Sequence, residues 1–207
     1  MILHEFALSS ASYRVRIALN LKNLSYESRS YRLRAGEQRS PAYLAMNPAG
    51  LVPLLEVDGC QIAQSLAIID YLDARNPEPR LIPTDPLERA RALELAYVIA
   101  CDIHPLNNLR VLLYLERELG LEEDALNAWY ARWVTSGLDA LETRLVERAG
   151  NPFAGGAAPN IVDVCLVPQV FNARRYAVDL SPYPILTGIA ERAASLPAFA
   201  AAAPAQV

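Results

Sequence analysis

With 207 residues, 53% hydrophobic and 20% charged, the chain is long enough for one large domain or two small ones and apolar enough to bury a core. A net charge of -4, with acidic and basic residues interspersed, leaves no cationic footprint for nucleic acid or an anionic membrane surface and points to a small partner instead. No apolar stretch nears the roughly 18 residues a bilayer span needs, and MILHEFALSS lacks the basic start of a signal peptide, so a soluble, cytoplasmic protein is expected.

In chain order, Ile2 to Phe6 is a short apolar-rich run that predicts a strand. A helix follows from about Ser10 to Lys22, where Val15, Ala18 and Leu19, flanked by Ile17 and Leu21, form a broad apolar face. Tyr26 to Leu33 alternates and predicts a second strand, so the opening is a βαβ unit with a parallel pair. After a polar loop around RAGEQRSPAY, two short strands, Leu54–Val57 and Cys60–Ala63, flank Asp58-Gly59, a strong hairpin signal. Ser65 then caps a helix running to about Arg75, before Pro77. The order βαβ then ββα predicts a thioredoxin-like domain over residues 1–78.

Pro77, Pro79, Pro83 and Pro86 crowd a connection without periodicity, which places a linker at 79–86. From Leu87 the pattern is helical, predicting an all-α domain over 87–207. Its helices are expected at Leu87 to Leu119, kinked where Pro105 follows His104, then at Glu122 to Ala149, Asn160 to about Arg175, and Ile185 to Leu196. Asn160 and Asp163 have capping-box spacing, and AFAAAAPAQV reads as a loose tail. Cys60, Cys101 and Cys165 form neither a CxxC pair nor a metal-ligand cluster, so they are expected to be buried free thiols and no metal site is expected.

The segments SSASYRVRIALNLK, NPAGLVPLLEVDG, QSLAIIDYLD, CDIHPLNNLRVLLYLERELG and DVCLVPQVFNARRYAVDLSPYP together resemble the zeta-class glutathione transferases, a family that includes maleylacetoacetate and maleylpyruvate isomerases. The resemblance runs over nearly the whole chain. It implies the cytosolic glutathione transferase fold, glutathione as cofactor, a small acidic substrate and a homodimer. The reaction it implies is the cis-trans isomerisation of maleylacetoacetate by thiolate addition, bond rotation and elimination, in tyrosine and phenylalanine breakdown. The alternatives are a transferase or maleylpyruvate isomerase acting on another electrophile, and a weakly active glutathione-binding protein.

The helix that opens at Ser9-Ser10 presents unpaired amides and the positive end of a dipole, which suits an anion, though a serine there can equally be an ordinary cap. The resemblance implies that the glutathione thiolate sits here, with a serine hydroxyl donating to the sulfur, that Ser9 and Ser10 are catalytic, and that the opening residues Ser9, Ser10, Ala11, Ser12, Tyr13 and Arg14 bind glutathione. Lowering a thiol pKa of about 8.5 by roughly two units requires about 2.7 kcal/mol. A helix terminus supplies up to about 2 kcal/mol and a hydrogen bond to a charged group about 1.5 to 3, so no histidine or metal is needed. Ala11 stands where many relatives carry cysteine, so no thiol-disulfide chemistry of the protein's own is expected there.

The resemblance further implies a cis Val52-Pro53 bond, with the Val52 backbone pairing the cysteinyl part of glutathione as an added strand. Gln64 and Ser65 are implied to hold the γ-glutamyl carboxylate, and Gln38 the glycine end, while Glu37 replaces another glutamine and would repel a carboxylate if turned inward. His104, Asn108, Leu109 and Arg110 match the stretch implied to line the opposite side, although His104 and Arg110 also fit a structural histidine and a solvated charge. Arg175 aligns with the arginine thought to grip a substrate carboxylate, with Arg174 the adjacent candidate. One departure stands out: Leu8 replaces the arginine that commonly precedes the two serines, which opens the acceptor toward less acidic or more apolar molecules.

Overall fold

The computed structural model describes residues 1–204. Contacts divide the chain into two units, Met1–Leu81 with the segment from Ser195, and Ile82–Ala194.

In the first unit, strand β1 (Ile2–Glu5) leads to helix α1 (Ser10–Leu21) and strand β2 (Glu27–Ser30). Helix α2 (Pro41–Met46), strands β3 (Leu54–Val57) and β4 (Cys60–Ala63) and helix α3 (Ser65–Arg75) follow. The sheet order is β2-β1-β3-β4, with β1 and β2 parallel and the other pairs antiparallel, which is the thioredoxin-like arrangement predicted. Asp58 (φ 51°) and Gly59 (φ 76°) both take positive φ, so the hairpin turns through them as a type I′ turn.

Helix α1 is the core element: Val15, Ile17, Ala18 and Leu19 are fully buried, a large aliphatic side chain contributing about 1.5 to 3 kcal/mol. At its end Lys22 is buried, yet its Nζ donates to Asp73 Oδ1 (2.8 Å) and to the carbonyls of Asn76 (2.6 Å) and Pro79 (2.8 Å). All three ammonium protons thus find acceptors, which is what makes burial of the charge tolerable.

Three expectations need correction here. The second strand spans only Glu27–Ser30, because Tyr31 turns to bond His4 Nδ1 (2.7 Å) and pack against Tyr43, and Leu33–Ala35 winds into a 3₁₀ turn. The polar loop after it contains α2, started by Ser40, whose Oγ accepts from the Tyr43 amide, and by Pro41 at the first helical position. The C-terminal stretch is not a loose tail through Ala202: Pro197–Ala202 forms helix α9, with Phe199 fully buried, and packs on α1. Asn20 Nδ2 (3.0 Å), the Tyr13 hydroxyl (3.5 Å) and Arg16 Nε (2.8 Å) donate to the carbonyls of Ala198, Phe199 and Ala202. Residues 205–207 of that stretch lie outside the described residues.

The second unit consists of α4 (Pro86–Tyr97), a π-helical turn (Val98–Ile103), α5 (Leu109–Arg117), α6 (Glu123–Leu145), α7 (Ile161–Arg175) and α8 (Pro184–Ala194). The first ten residues of α7, 161–170, are buried, so it forms the centre against which α4 and α8 pack. Its start carries the predicted capping box, and the Asp163 carboxylate also accepts from the amides of Ala154 (2.8 Å) and Gly155 (3.1 Å). Burial pushes the Asp163 carboxyl up in pKa, and these amide bonds oppose that shift.

The interruption expected at Pro105 begins earlier and takes another form. The chain leaves α geometry at Val98, and the His104 amide bonds the Ile99 carbonyl five residues back (3.0 Å). Gly137 of α6 makes room for this wide turn, since a Cβ there would lie 2.2 Å from the Ile103 side chain. The thiols also differ from expectation: Cys165 is buried in α7, whereas Cys60 on an edge strand and Cys101 in the π turn are exposed.

Candidate active site

The register of the sheet gathers the first unit's candidate residues. Because Glu5 pairs Ser30, His4 pairs Leu54, and Leu54 pairs Ala63, four segments start at the same end of the sheet. They are the turn into α1 with Ser9, the segment toward Gln38, the Val52-Pro53 entry to β3, and the Gln64-Ser65 entry to α3.

Ser9 caps α1, its Oγ accepting from the Ser12 amide at 3.2 Å, and it is half-buried. Ser10 is 4% exposed, and Ala11, Ser12, Tyr13 and Arg14 are buried as well, so Ser9 is the accessible hydroxyl of this opening. An accepting hydroxyl keeps its own proton to donate. The Tyr13 hydroxyl is directed at the Phe199 carbonyl of α9. Arg14 Nη1 donates to Ser65 Oγ (3.3 Å), which ties α1 to the first turn of α3.

Val52-Pro53 is cis. Among the described residues no hydrogen bond uses the Val52 backbone, so its N–H and C=O stay open to an added strand. Leu51 beside it is clamped, its carbonyl accepting from the Tyr43 hydroxyl (2.6 Å) and from Asn47 Nδ2 (2.8 Å). Helix α3 begins without a side-chain cap, leaving its first-turn amides and dipole for a carboxylate. Gln64 at that start has φ 69° and ψ 116°, outside the usual regions for a residue with a side chain. Gln38 donates weakly to the Leu33 carbonyl (3.4 Å), and its buried Oε1 finds no partner among the described residues. Glu37 is held by Arg32, whose amide (2.7 Å) and Nε (2.6 Å) donate to its carboxylate and lower its pKa. The open amides, the hydroxyl and the free peptide edge fit a peptide bearing carboxylates and a thiolate, as glutathione does.

In the second unit, Asn108 caps α5 by accepting from the Arg110 amide (3.1 Å), and its Nδ2 lies 3.5 Å from His104 Nε2. Leu109 is half-buried and Arg110 exposed. The two arginines at the end of α7 differ in commitment. Arg174 pairs Glu191 at 2.5 Å, whereas the Arg175 guanidinium sits 5.6 Å from the centre of the Tyr176 ring and has no carboxylate partner among the described residues. Tyr176 itself stacks on Tyr130 at 3.8 Å, so Arg175 rests on a fixed aromatic platform.

Residues 3–80 match the glutathione S-transferase N-terminal domain family. Over 99% of the chain, and 95% of the relative, it is 50% identical to a probable maleylacetoacetate isomerase of Vibrio cholerae serotype O1. The chain belongs to the zeta class of glutathione transferases. A bacterial zeta-class maleylpyruvate isomerase, solved in its holo form, superposes with a TM-score of 0.96 at 42% identity, covering 99% of this chain and 97% of that one. The maleylacetoacetate isomerase of Methylobacterium extorquens AM1, solved with malonate and glutathione bound, superposes with a TM-score of 0.94 at 39% identity, covering 99% and 96%.

Sequence reasoning missed several supports of this zeta-class site. Tyr43 and Asn47, which fix Leu51, lie on or beside a six-residue helix too short to show a helical period. Tyr176 carried a signal that could have found it, as an aromatic directly after the two arginines.

Proposed function

We propose that this zeta-class transferase is a glutathione-dependent cis-trans isomerase that converts maleylacetoacetate to fumarylacetoacetate in tyrosine and phenylalanine catabolism. The observation that carries this reading is the accessible Ser9 hydroxyl at an anion-ready helix start, at the same sheet end as a cis Val52-Pro53 edge. The 50% identity to a probable maleylacetoacetate isomerase supports it. Glutathione, when bound, supplies the thiolate that adds to the conjugated double bond and leaves again after rotation, so it is not consumed.

The chain's residues do the rest. Ser9 donates a hydrogen bond from its hydroxyl to the thiolate sulfur, and the first-turn amides of α1 hold the negative charge, Ser10 and Ala11 lending backbone. Val52 pairs the tripeptide backbone, the amides of α3 with Gln64 and Ser65 hold the γ-glutamyl carboxylate, and Gln38 serves the glycine end. Arg175 grips an acceptor carboxylate through two parallel bonds, and its charge favours the electron-rich intermediate. His104, Asn108, Leu109 and Arg110 complete the acceptor side. In this reading residues 1–78 bind glutathione, 79–86 connect, and the helical domain that begins at 87 supplies the acceptor residues. The family resemblance supports a homodimer that works in the cytoplasm.

A second reading rests on Leu8. Where relatives commonly place arginine, the apolar Leu8 removes a charge-assisted contact worth about 1.5 to 3 kcal/mol, which favours maleylpyruvate or another electrophile as acceptor. The test is loss of maleylacetoacetate absorbance with and without glutathione. Wild type turns over only with glutathione; Ser9→Ala lowers kcat, and Arg175→Ala raises KM for the acceptor by about 10- to 150-fold with KM for glutathione unchanged. Turnover without glutathione would sink both readings. Absent turnover with intact glutathione binding, restored by Leu8→Arg, would favour the second.

A further inference from the structure

We propose that Arg16 is a positioning residue of the thiolate site and that helix α9, near the far end of the chain, is the brace that holds it. The proposal rests on the reading that Ser9 contacts the glutathione sulfur. Arg16 lies on α1 and is 7% exposed, and each of its guanidinium nitrogens has its own acceptor. Nε donates to the Ala202 carbonyl of α9 (2.8 Å), Nη2 to the Ala7 carbonyl (2.9 Å), and Nη1 to the Glu5 carboxylate. A planar fork held by three acceptors has almost no freedom left, so its position is transmitted to whatever it bonds.

One of those acceptors is part of the site's own support. Ala7 belongs to the turn from β1 to α1, closed by the Ser9 amide on the Phe6 carbonyl (2.9 Å), and this turn delivers Ser9. Its other anchor is weaker, the Phe6 amide reaching Ser12 Oγ at 3.5 Å. The remaining bonds of Arg16 lead away from the turn. Glu5 is fixed by Ser28, whose hydroxyl donates to Oε1 at 2.7 Å, and α9 is seated by the fully buried Phe199 and by the Tyr13 hydroxyl on its carbonyl. Arg16 also meets the last turn of α9, where cations are favoured by exposed carbonyls. Because the Glu5 carboxylate neutralises the guanidinium, the effect on Ser9 runs through geometry rather than charge. A misplacement of Ser9 by a fraction of an ångström weakens the bond to sulfur, and the bound thiol becomes harder to ionise.

The test uses the full chain with glutathione, reading the pKa of the bound thiol from its thiolate absorbance against pH, with S-methylglutathione, which has no ionisable thiol, as a binding control. Ser9→Ala sets the reference shift. Arg16→Met and Phe199→Ala are expected to raise the bound-thiol pKa by about one unit, which from a value about two units below that of the free thiol is roughly a threefold loss of thiolate at pH 7, with S-methylglutathione affinity kept. Folded variants that lose thermal stability but keep the wild-type thiol pKa, where Ser9→Ala raises it, would overturn the proposal. If Arg16→Met cannot fold because it strands Glu5, Phe199→Ala decides, since it leaves the Arg16–Glu5 pair intact. A thiol pKa that Ser9→Ala does not move takes the proposal down together with the reading beneath it.

Discussion

Gln64 holds φ 69° and ψ 116° at the entry to α3, a conformation that costs a residue with a side chain about 1 to 3 kcal/mol. Its side chain caps nothing in α3, so the fold gains no capping bond in return. The strain is therefore expected to serve binding. Gln64→Gly removes it at an unfolded-state entropy cost of about 0.5 to 1 kcal/mol, so stability in urea is expected to stay level or rise by up to about 2 kcal/mol. KM for glutathione is expected to rise at least about tenfold if the side chain grips the carboxylate. A variant that melts earlier and binds normally would show that the conformation is structural. Sequence named Gln64 but could not show its φ, which neighbours impose. Nor could it show which serine of the pair is accessible, or that Arg32 would take up Glu37, because those depend on which groups the folded backbone buries.

Among the secondary elements, the long ones were legible and the short ones were not. Helices α1, α6 and α7 and the Asp58-Gly59 hairpin announce themselves through period, caps and turn chemistry. Six residues cover less than two turns, so α2 and α9 leave no periodic trace, and their existence depends on Tyr43 and Phe199 finding buried seats. The π turn Val98–Ile103 is likewise a product of packing. It fits because Gly137 has no side chain, and Gly137→Ala would drive a methyl to within 2.2–2.3 Å of Ile103. Overpacking of that kind is expected to cost about 1 to 3 kcal/mol, measured by urea denaturation. Ile103→Val in the same chain is expected to recover part of the loss, giving a non-zero coupling in the double-mutant cycle. Additive effects would place the cost elsewhere in α6.

Across the whole molecule, burial raises the pKa of six of the chain's ten tyrosines. Tyr43 and Tyr183 are pushed up to about 12, and Tyr13, Tyr26, Tyr31 and Tyr130 are raised as well, in each case chiefly by loss of water around the phenol. Their folded pKa values lie above the unfolded value of 10.0, so the native state holds protons that the unfolded chain releases. The resulting stability is fully present below pH 10 and is lost as pH climbs from 10 toward 12. The tyrosinate absorbance of these rings should therefore rise at higher pH in the native protein than in the urea-unfolded chain. Coincident titrations would show that these rings are open to water.

By itself the sequence determined the family, the strand and long-helix order, the hairpin, the Asn160–Asp163 box and the chemical types that can hold an anion, because each is written in local pattern or motif. Tertiary structure decided that one sheet end gathers Ser9, Val52-Pro53 and Gln64-Ser65, that Arg174 is spent on Glu191 while Arg175 lies on Tyr176, and that α9 folds back onto α1. Those outcomes follow from register, burial and competition for partners among residues as many as 186 positions apart, as Arg16 and Ala202 are. Local periodicity carries no record of such pairings.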